Sequence, residues 1–297
     1  MTAVTAEPQQ PDLREPKGWR RTKNRTMTAL MVTSFVVVLI PLGFVLFTVI
    51  AKGASVISWS FLTSSIPPSV APVGVGGIGP AIVGTIEITV VATVIAVPLG
   101  ILGAVYLNEY GGKNPLAAFI GFMSDVMTGV PSIIMGLFIF TIWTLHFGLA
   151  GIGGALALAC LMLPIVIRSS YEILRLVPNS LREGSYALGA SKARVTVTVV
   201  LPAAIGGIVS GALLAIARAA GETAPLLFTI GAAHTVNKNV FSGANTSLPS
   251  QIFANASSPY DGAQALGWGA ALTLIAICFI LMIVARIVTA RFARYTH

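Results

Sequence analysis

Long apolar runs separated by short polar stretches dominate the pattern of hydrophobic and polar positions along this chain. A helix that crosses a bilayer needs about 20 mostly apolar residues. Such stretches lie at residues 27–51, 80–108, 116–146, 155–174, 203–232 and 264–290. The pattern predicts an all-α, polytopic membrane protein with six transmembrane helices.

Composition strengthens this prediction and excludes several classes of protein. The chain has 297 residues, of which 55% are hydrophobic and 9% are charged, whereas roughly 25% of a soluble domain is charged. A soluble enzyme, a disordered chain and a nucleic-acid-binding domain are therefore excluded. The first run is too long for the core of a signal peptide, which spans about 7–15 residues, so we expect a retained anchor at 27–51 after a polar tail at 1–26.

The basic residues predict the orientation of the spans in the membrane. Of the 18 Lys and Arg residues, fifteen lie on the side that holds both termini and the segment between the fourth and fifth spans. Only Lys52 and Lys238 fall on the other side, and Arg218 lies inside a span. Lys and Arg accumulate in cytoplasmic loops, so we expect both termini to be cytoplasmic.

Several kinds of catalytic chemistry have no basis in this sequence. No lysine is followed by Ser or Thr, so the chain lacks a Walker A motif and is not expected to be an enzyme or to bind ATP and Mg²⁺ itself. The histidines, His146, His234 and His297, are scattered and predict no metal site. Directed movement of a solute would draw its energy from a partner or from an ion gradient.

The polar segment at 175–202 is predicted to form a compact helix–turn–helix on the cytoplasmic face. Pro178 suits the first turn of a helix, Gly189 suits a helix end, and Ser191 can cap a second short helix. Pro202 then marks a bend into the fifth span. From the residues alone, a docking surface for another protein and an amphipathic connector on the lipid headgroups both remain open.

This segment resembles the cytoplasmic loop of ABC importer permeases, which reads Glu-Ala-Ala, three residues, Gly, about nine residues and Ile-x-Leu-Pro. The positions that carry the resemblance are Glu183, Gly184, Ser185, Gly189, Leu201 and Pro202. Gly and Ser replace the two alanines, and Val199 replaces isoleucine. The resemblance implies a coupling loop at 175–202 that fits a separate ATPase subunit.

A pair of opposite charges lies in the fifth predicted span. The midpoint of residues 203–232 places Arg218 near the bilayer centre, where a charge costs about 2.5–3.5 kcal/mol. Glu222 follows one turn later on the same face, and Pro225 removes a hydrogen bond from the helix and predicts a kink. Either these residues form a buried ion pair that joins helices, or Arg218 binds a tetrahedral oxyanion that competes with Glu222.

The run Ala217–Thr229, which contains Thr223 and Pro225, resembles the fifth span of the phosphate-specific ABC transporter permeases of the PstA type. The runs Asp125–Ile133 and Tyr106–Tyr110 are also similar to that family, and the likeness covers residues 79–290. It implies the type I ABC importer permease fold, inorganic phosphate as the solute, and Arg218 and Glu222 in the family's charged positions.

Two acids in other spans and one small-residue face have less specific interpretations. Glu87 either lines the pathway or is a half-hydrated acid near the external end of its span. Asp125 either faces a cavity at an unwound Gly129-Val-Pro131 corner or caps the segment after it. Gly207 and Gly211 form a small-xxx-small face that favours close packing of a neighbouring helix.

The family resemblance also implies partners for this chain. They are a homologous sister permease, a dimeric ATP-binding subunit and an extracytoplasmic phosphate-binding protein, with lipid around the spans and no nucleic acid. A permease for another oxyanion, such as phosphonate or molybdate, and an ion-coupled secondary carrier remain the alternatives. A membrane-embedded enzyme is the third, and the sequence offers it no catalytic set.

Overall fold

The computed structural model of the protein describes residues 18–112 and 114–293. These residues divide into two units at Thr48 and Val49. The first consists of most of helix α1 (Trp19–Ala54), whose residues are exposed from Trp19 to Phe47. Residues 1–17 of the predicted polar tail lie outside the described chain, and the rest of that tail belongs to α1. Its Arg and Lys residues are good helix formers, which explains why the helix begins before the apolar run.

The second unit is built from helices and connecting segments throughout its described part. In chain order they are α2 (Trp59–Thr63), α3 (Gly79–Val105), α4 (Pro115–Gly129), α5 (Ser132–Ile139), α6 (Leu145–Phe147), α7 (Gly151–Arg175), α8 (Asn179–Ala187), α9 (Lys192–Val195), α10 (Leu201–Ala220), α11 (Ala224–Thr229), α12 (Leu248–Ala256) and α13 (Asp261–Ala293). Three π-helical segments continue helices: π1 (Tyr106–Tyr110), π2 (Phe140–Thr144) and π3 (Thr196–Val200).

The all-α prediction is confirmed over the described residues. Five helical stretches are long and apolar enough to cross a membrane: Trp19–Ala54, Gly79–Tyr110, Gly151–Arg175, Lys192–Ala220 and Asp261–Ile287. The predicted span at 116–146 is instead a helix pair that bends by 108° between Gly129 and Ser132, and counting it as one span gives six. The bend follows from Pro131, because a residue before proline avoids helical angles, and Val130 is extended with φ −75° and ψ 129°.

Helix α7 is the centre of the second unit, with 67% of its most apolar window buried. Helix α3 packs on it so closely that a Cβ at Gly100 would lie 2.7 Å from Val166. Helix α10 packs on another part of α7, where Cβ atoms at Gly207 and Gly211 would lie 2.6 Å from Ile173 and 2.4 Å from Ser169. The small-residue face predicted from the sequence is therefore the α10–α7 contact.

The two longer segments between apolar runs, at 52–79 and 234–263, contain short helices. Ser58 and Ser247 supply the reason, because each side chain accepts a hydrogen bond from the first turn, of α2 and of α12 respectively. A buried polar cluster precedes and enters α12. Its members with the lowest exposure are Asn245, Thr246 and Ser247.

Candidate functional site

The helix that carries Arg218 ends directly after it. The predicted span at 203–232 is interrupted, because α10 stops at Ala220 and α11 begins at Ala224. Pro225 occupies the first turn of α11, where a missing N–H breaks no hydrogen bond, so the predicted kink is a complete break. The helix bounds that placed Arg218 at a span midpoint therefore differ from the structure, and its depth in the bilayer stays a prediction. The residue lies in the last turn of α10, where a cation is favoured by the helix dipole.

The helix that carries Arg218 also begins before residue 203, the predicted start of the span. Residues Lys192–Ala220 form one helical stretch through α9, π3 and α10. Pro202 does not mark a bend into a separate span, and both Leu201 and Pro202 belong to this stretch. The π-turn absorbs the proline, since the N–H of Leu201 reaches the carbonyl of Thr196 before Pro202 interrupts the hydrogen-bond ladder.

Arg218 and Glu222 form an ion pair that leaves the guanidinium accessible. The Nε of Arg218 lies 3.7 Å from Oε1 of Glu222, and the two side chains are 70% and 21% exposed. That separation is too long for a hydrogen bond. Among the described residues, Glu222 therefore balances the charge of the Arg218 guanidinium but does not accept a hydrogen bond from it.

Both charges line one cavity of about 230 Å³. The other walls come from the α4–α5 bend and from the middle of α7, with Met127, Thr128, Val130, Pro131, Ser132, Leu161, Pro164 and Ile165. Three interruptions of helical hydrogen bonding therefore meet at this cavity: the break after Arg218, the bend at Pro131 and Pro164 inside α7. Irregular backbone at membrane depth is tolerated where it lines a cavity or is buried in protein.

Asp125 does not cap the segment after the Pro131 bend, and its cavity-facing alternative stays a prediction. Asp125 is absent from the residues that line the cavity of Arg218, and α5 begins without a side-chain cap, so the capping interpretation is wrong. Asp125 instead forms an ion pair and hydrogen bond with Arg168, which joins α4 to α7. Sequence spacing could not reveal this partner, because the two residues are far apart along the chain.

Glu87 is a half-buried residue of α3. Its Oε2 atom is buried and has no hydrogen-bond partner among the described residues. It does not line the cavity of Arg218. A role for Glu87 in the pathway stays a prediction.

The segment at 175–202, called the coupling segment from here on, has the predicted helix–turn–helix form. Helix α8 begins after Pro178, which stands just before its first turn, and Gly189 beyond its end has φ +79°. The Ser191 side chain accepts a hydrogen bond from the N–H of Arg194 and so caps α9. The residues Glu183, Gly184 and Ser185 lie on α8, which buries none of its residues.

Sequence reasoning missed a buried ion pair between Arg182 on α8 and Glu109 in π1. Nη2 of Arg182 lies 2.9 Å from Oε1 of Glu109, and the two side chains are 13% and 4% exposed. Both residues lie in segments that the sequence patterns had indicated. Arg182 is one of several basic residues in its segment, however, and such residues predict only which side of the membrane the segment lies on.

Comparisons with known proteins agree with this architecture. The family described as binding-protein-dependent transport system inner membrane component matches residues 96–294. The phosphate transport system permease protein PstA 1 of Mycobacterium tuberculosis (strain ATCC 25618 / H37Rv) is 46% identical over 261 residues, which cover 87% of this chain and 84% of that protein. The phosphate transport system permease protein PstA of Yersinia pestis is 41% identical over 286 residues, 94% of each chain.

Solved structures share the fold at low sequence identity. A bacterial ABC transporter involved in the import of the acidic polysaccharide alginate aligns with TM-score 0.66 at 12% identity, over 92% of this chain and 98% of that chain. The MetNI methionine ABC transporter in an inward-facing conformation aligns with TM-score 0.55 at 18% identity, over 73% of this chain and 94% of that chain.

Proposed function

The chain belongs to the family of binding-protein-dependent transport system inner membrane components, and from that premise we propose that it is the permease subunit of an ATP-driven importer of inorganic phosphate. The observation that carries the proposal is the accessible guanidinium of Arg218 in a cavity where three helix interruptions meet. The phosphate transport permeases that are 46% and 41% identical to this chain support phosphate as the solute.

The chemistry of the cavity suits a tetrahedral oxyanion. A guanidinium presents a fork of parallel N–H donors that matches phosphate oxygens. Glu222 balances the charge while the cavity holds no anion, and its distance of 3.7 Å lets an arriving anion displace it without first breaking a hydrogen bond. Thr223 stands at the N-cap of the next helix and Pro225 in its first turn, so both belong to the break that follows Arg218.

A second feature of the cavity also favours an anion. Pro131 and Ser132, at the start of α5, line it together with Arg218. The first N–H groups of a helix have no partner within that helix, and the helix dipole adds partial positive charge there. The cavity, with a volume of about 230 Å³, has room for a small anion with bound water, since a water occupies about 30 Å³ in the liquid.

The energy for transport comes from other subunits in this proposal. The chain has no Walker A motif, whereas α8 is exposed and carries the apolar residues Leu181 and Tyr186, at 46% and 40% exposure. We place a dimeric ATP-binding subunit on the α8 surface, a homologous sister permease beside the cavity, and an extracytoplasmic phosphate-binding protein on the opposite side. Both termini are cytoplasmic in this arrangement, as the distribution of basic residues predicts.

The proposed cycle follows from this arrangement. ATP binding closes the ATPase dimer, the α8 helices move with it, and the spans switch access from one side of the membrane to the other. Phosphate enters from the binding protein, takes the place of Glu222 on Arg218, and leaves to the cytoplasm when Glu222 returns. Phosphonate and molybdate would use the same chemistry, but the similarity to phosphate transport system permeases favours phosphate.

The test is phosphate uptake by the reconstituted complex with Arg218→Gln. We expect uptake to be abolished and complex assembly to be retained, because the variant removes the charge and the donor fork while keeping a polar side chain at a largely exposed position. Arg286→Gln is the matched control, since Arg286 is exposed on α13. Unimpaired uptake in Arg218→Gln would refute the proposal.

A second arm separates a pump from an ion-coupled carrier. Vanadate should stop uptake by the unsubstituted complex, and a protonophore should leave it unchanged. Uptake that collapses with the protonophore and survives vanadate would assign the chain to the carrier class.

A further inference from the structure

The exposed helix α8 reaches the interior of the protein through Arg182. The helix buries none of its residues, yet the side chain of Arg182 is only 13% exposed and that of its partner Glu109 only 4%. Desolvating two charges is costly unless they are paired and their remaining donors and acceptors are satisfied. This pair meets that condition, which distinguishes it from a surface ion pair.

Glu109 belongs to π1, which continues α3 without a break. Its Oε1 accepts hydrogen bonds from Nε of Arg182 at 3.2 Å and from Nη2 at 2.9 Å. The Asn108 side-chain amide donates to the same oxygen at 2.7 Å. The cytoplasmic helix α8 is thus joined to the end of α3 by two charge-assisted hydrogen bonds from Arg182 to one carboxylate oxygen, which Asn108 holds in place from within π1.

The same guanidinium also holds the end of α7. Nη2 of Arg182 donates to the carbonyl of Leu174 at 3.1 Å, and Nη1 donates to the carbonyl of Val177 at 2.6 Å. Carbonyls near the end of a helix have acceptor capacity left over, and Arg182 uses it at Leu174, whose carbonyl also accepts from the N–H of Val177. Three elements, α3 with π1, α7 and α8, therefore meet at one side chain.

A second cation contacts π1 from the other arm of the coupling segment. The Nζ of Lys192 lies 5.1 Å from the centroid of the Tyr110 ring, a cation–π contact. Lys192 begins the helical stretch that ends beside Arg218. Both arms of the coupling segment therefore contact π1, and π-turns occur frequently at functional sites.

We propose that the Arg182–Glu109 pair is a coupling strut that transmits displacement of α8 to α3. This inference rests on the proposed function, because a partner ATPase must displace α8. The contacts of Arg182 point to two other elements at once, so α8 cannot shift without moving π1 or breaking charge-assisted hydrogen bonds. Arg182 and Glu109 are positioning residues in this account, and they act on the pathway through α3 and α7.

A coupling strut and a purely structural ion pair predict different transport activities for a variant in which both charges are neutralised. Glu109→Gln or Arg182→Gln alone leaves one buried charge uncompensated, which destabilises the fold under either account. The double variant Glu109→Gln/Arg182→Gln removes both charges and restores neutrality. A structural role predicts that this double variant recovers transport, and the strut predicts that it does not.

The first measurement is the ratio of phosphate taken up to ATP hydrolysed by the reconstituted complex with its binding protein. Coupling between sites amounts to about 5–150-fold, and we expect the ratio to fall about tenfold in the double variant while ATP hydrolysis continues. Arg175→Gln and Glu172→Gln, which neutralise exposed residues of α7, should keep the ratio. A double variant with the unsubstituted ratio would overturn the strut.

The second measurement does not depend on the solute. Spin labels replace Ser180 on α8 and Leu102 on α3, both exposed, in a complex whose Cys160 and Cys278 are replaced by alanine. The distance between the labels should stay fixed on ATP binding with the strut intact and change in the double variant. The strut would be overturned if the distance between the labels responded to ATP in the same way in the double variant and in the complex with the strut intact. A complex with the unsubstituted chain that takes up no phosphate would refute the proposed function, and the distance measurement would still decide whether the strut exists.

Discussion

Gly136 lies against the backbone of Pro225, with no room for a side chain between α5 and α11. A Cβ atom at Gly136 would lie 2.6 Å from Cα of Pro225 and 3.1 Å from its carbonyl oxygen. These are backbone atoms, which cannot rotate away as a flexible side chain would. The contact therefore fixes the position of α11 relative to α5, and both helices border the break that presents Arg218 and Glu222.

Gly136→Ala should displace α11 and distort the cavity. Inserting a methyl group into a packed interior costs about 1–3 kcal/mol, so we expect a lower unfolding temperature of the purified chain and reduced phosphate uptake. The change in uptake should exceed the change in stability, because the displaced helix borders the proposed binding site. Thermal unfolding in detergent and uptake in vesicles measure the two effects.

The chain offers a matched control on a neighbouring helix. Gly121 of α4 has no atom within 4 Å of the place where its Cβ would lie, and alanine is a better helix former than glycine by about 1 kcal/mol. Gly121→Ala should therefore leave uptake unchanged and stability equal or higher. If Gly136→Ala behaves like Gly121→Ala, the contact with Pro225 does not position the site.

Glu222→Gln should change the kinetics of uptake in the opposite sense from loss of Arg218. Without the competing carboxylate, phosphate should bind Arg218 more tightly and leave more slowly. The pair is partly exposed, and such pairs contribute about 1 kcal/mol or less, so the KM for uptake should fall at most about fivefold. The maximal rate should fall with it if release of phosphate requires Glu222 to return.

Uptake measured against the concentration of loaded binding protein checks this prediction. Glu172→Gln, on an exposed position of α7, controls for the loss of one negative charge and should change neither constant. A raised KM in Glu222→Gln would show that the carboxylate helps phosphate to bind and does not compete with it.

The sequence was sufficient for the helices whose apolar runs are long, and insufficient where a span is interrupted. Gly129 and Pro131 indicated an unwound corner, but the sequence does not reveal that the chain bends there by 108°, because hydropathy reports burial in lipid and not backbone direction. The same limit misplaced the fifth span. Its polar beginning at Lys192 is helical because the Ser191 side chain caps the first turn, and the helix ends at Ala220, before the break that precedes Ala224.

The candidate site shows the same division between local and long-range information. Arg218 and Glu222 could be paired from their spacing alone, since residues four apart share a helix face. Asp125 with Arg168, and Glu109 with Arg182, could not be paired, because each contact depends on how two helices pack. The periodicity of hydrophobic positions and the composition do not determine which helices pack together. For each charged residue, several residues of opposite charge in the sequence are possible partners.

Thr85→Val should destabilise the contact between α3 and the start of α12. The buried hydroxyl of Thr85 accepts a hydrogen bond from the N–H of Leu248 at 2.8 Å and donates to the carbonyl of Ala81 at 2.7 Å. Valine keeps the shape and removes the acceptor, so the N–H of Leu248 is left buried without a partner, which costs about 1–3 kcal/mol.

The control is Thr141→Val, because the exposed hydroxyl of Thr141 donates only within its own helix, to Leu137 at 2.9 Å. Thermal unfolding of both variants should show a clear loss for Thr85→Val and little change for Thr141→Val; equal unfolding temperatures would mean that this hydrogen bond does not anchor the start of α12 on α3.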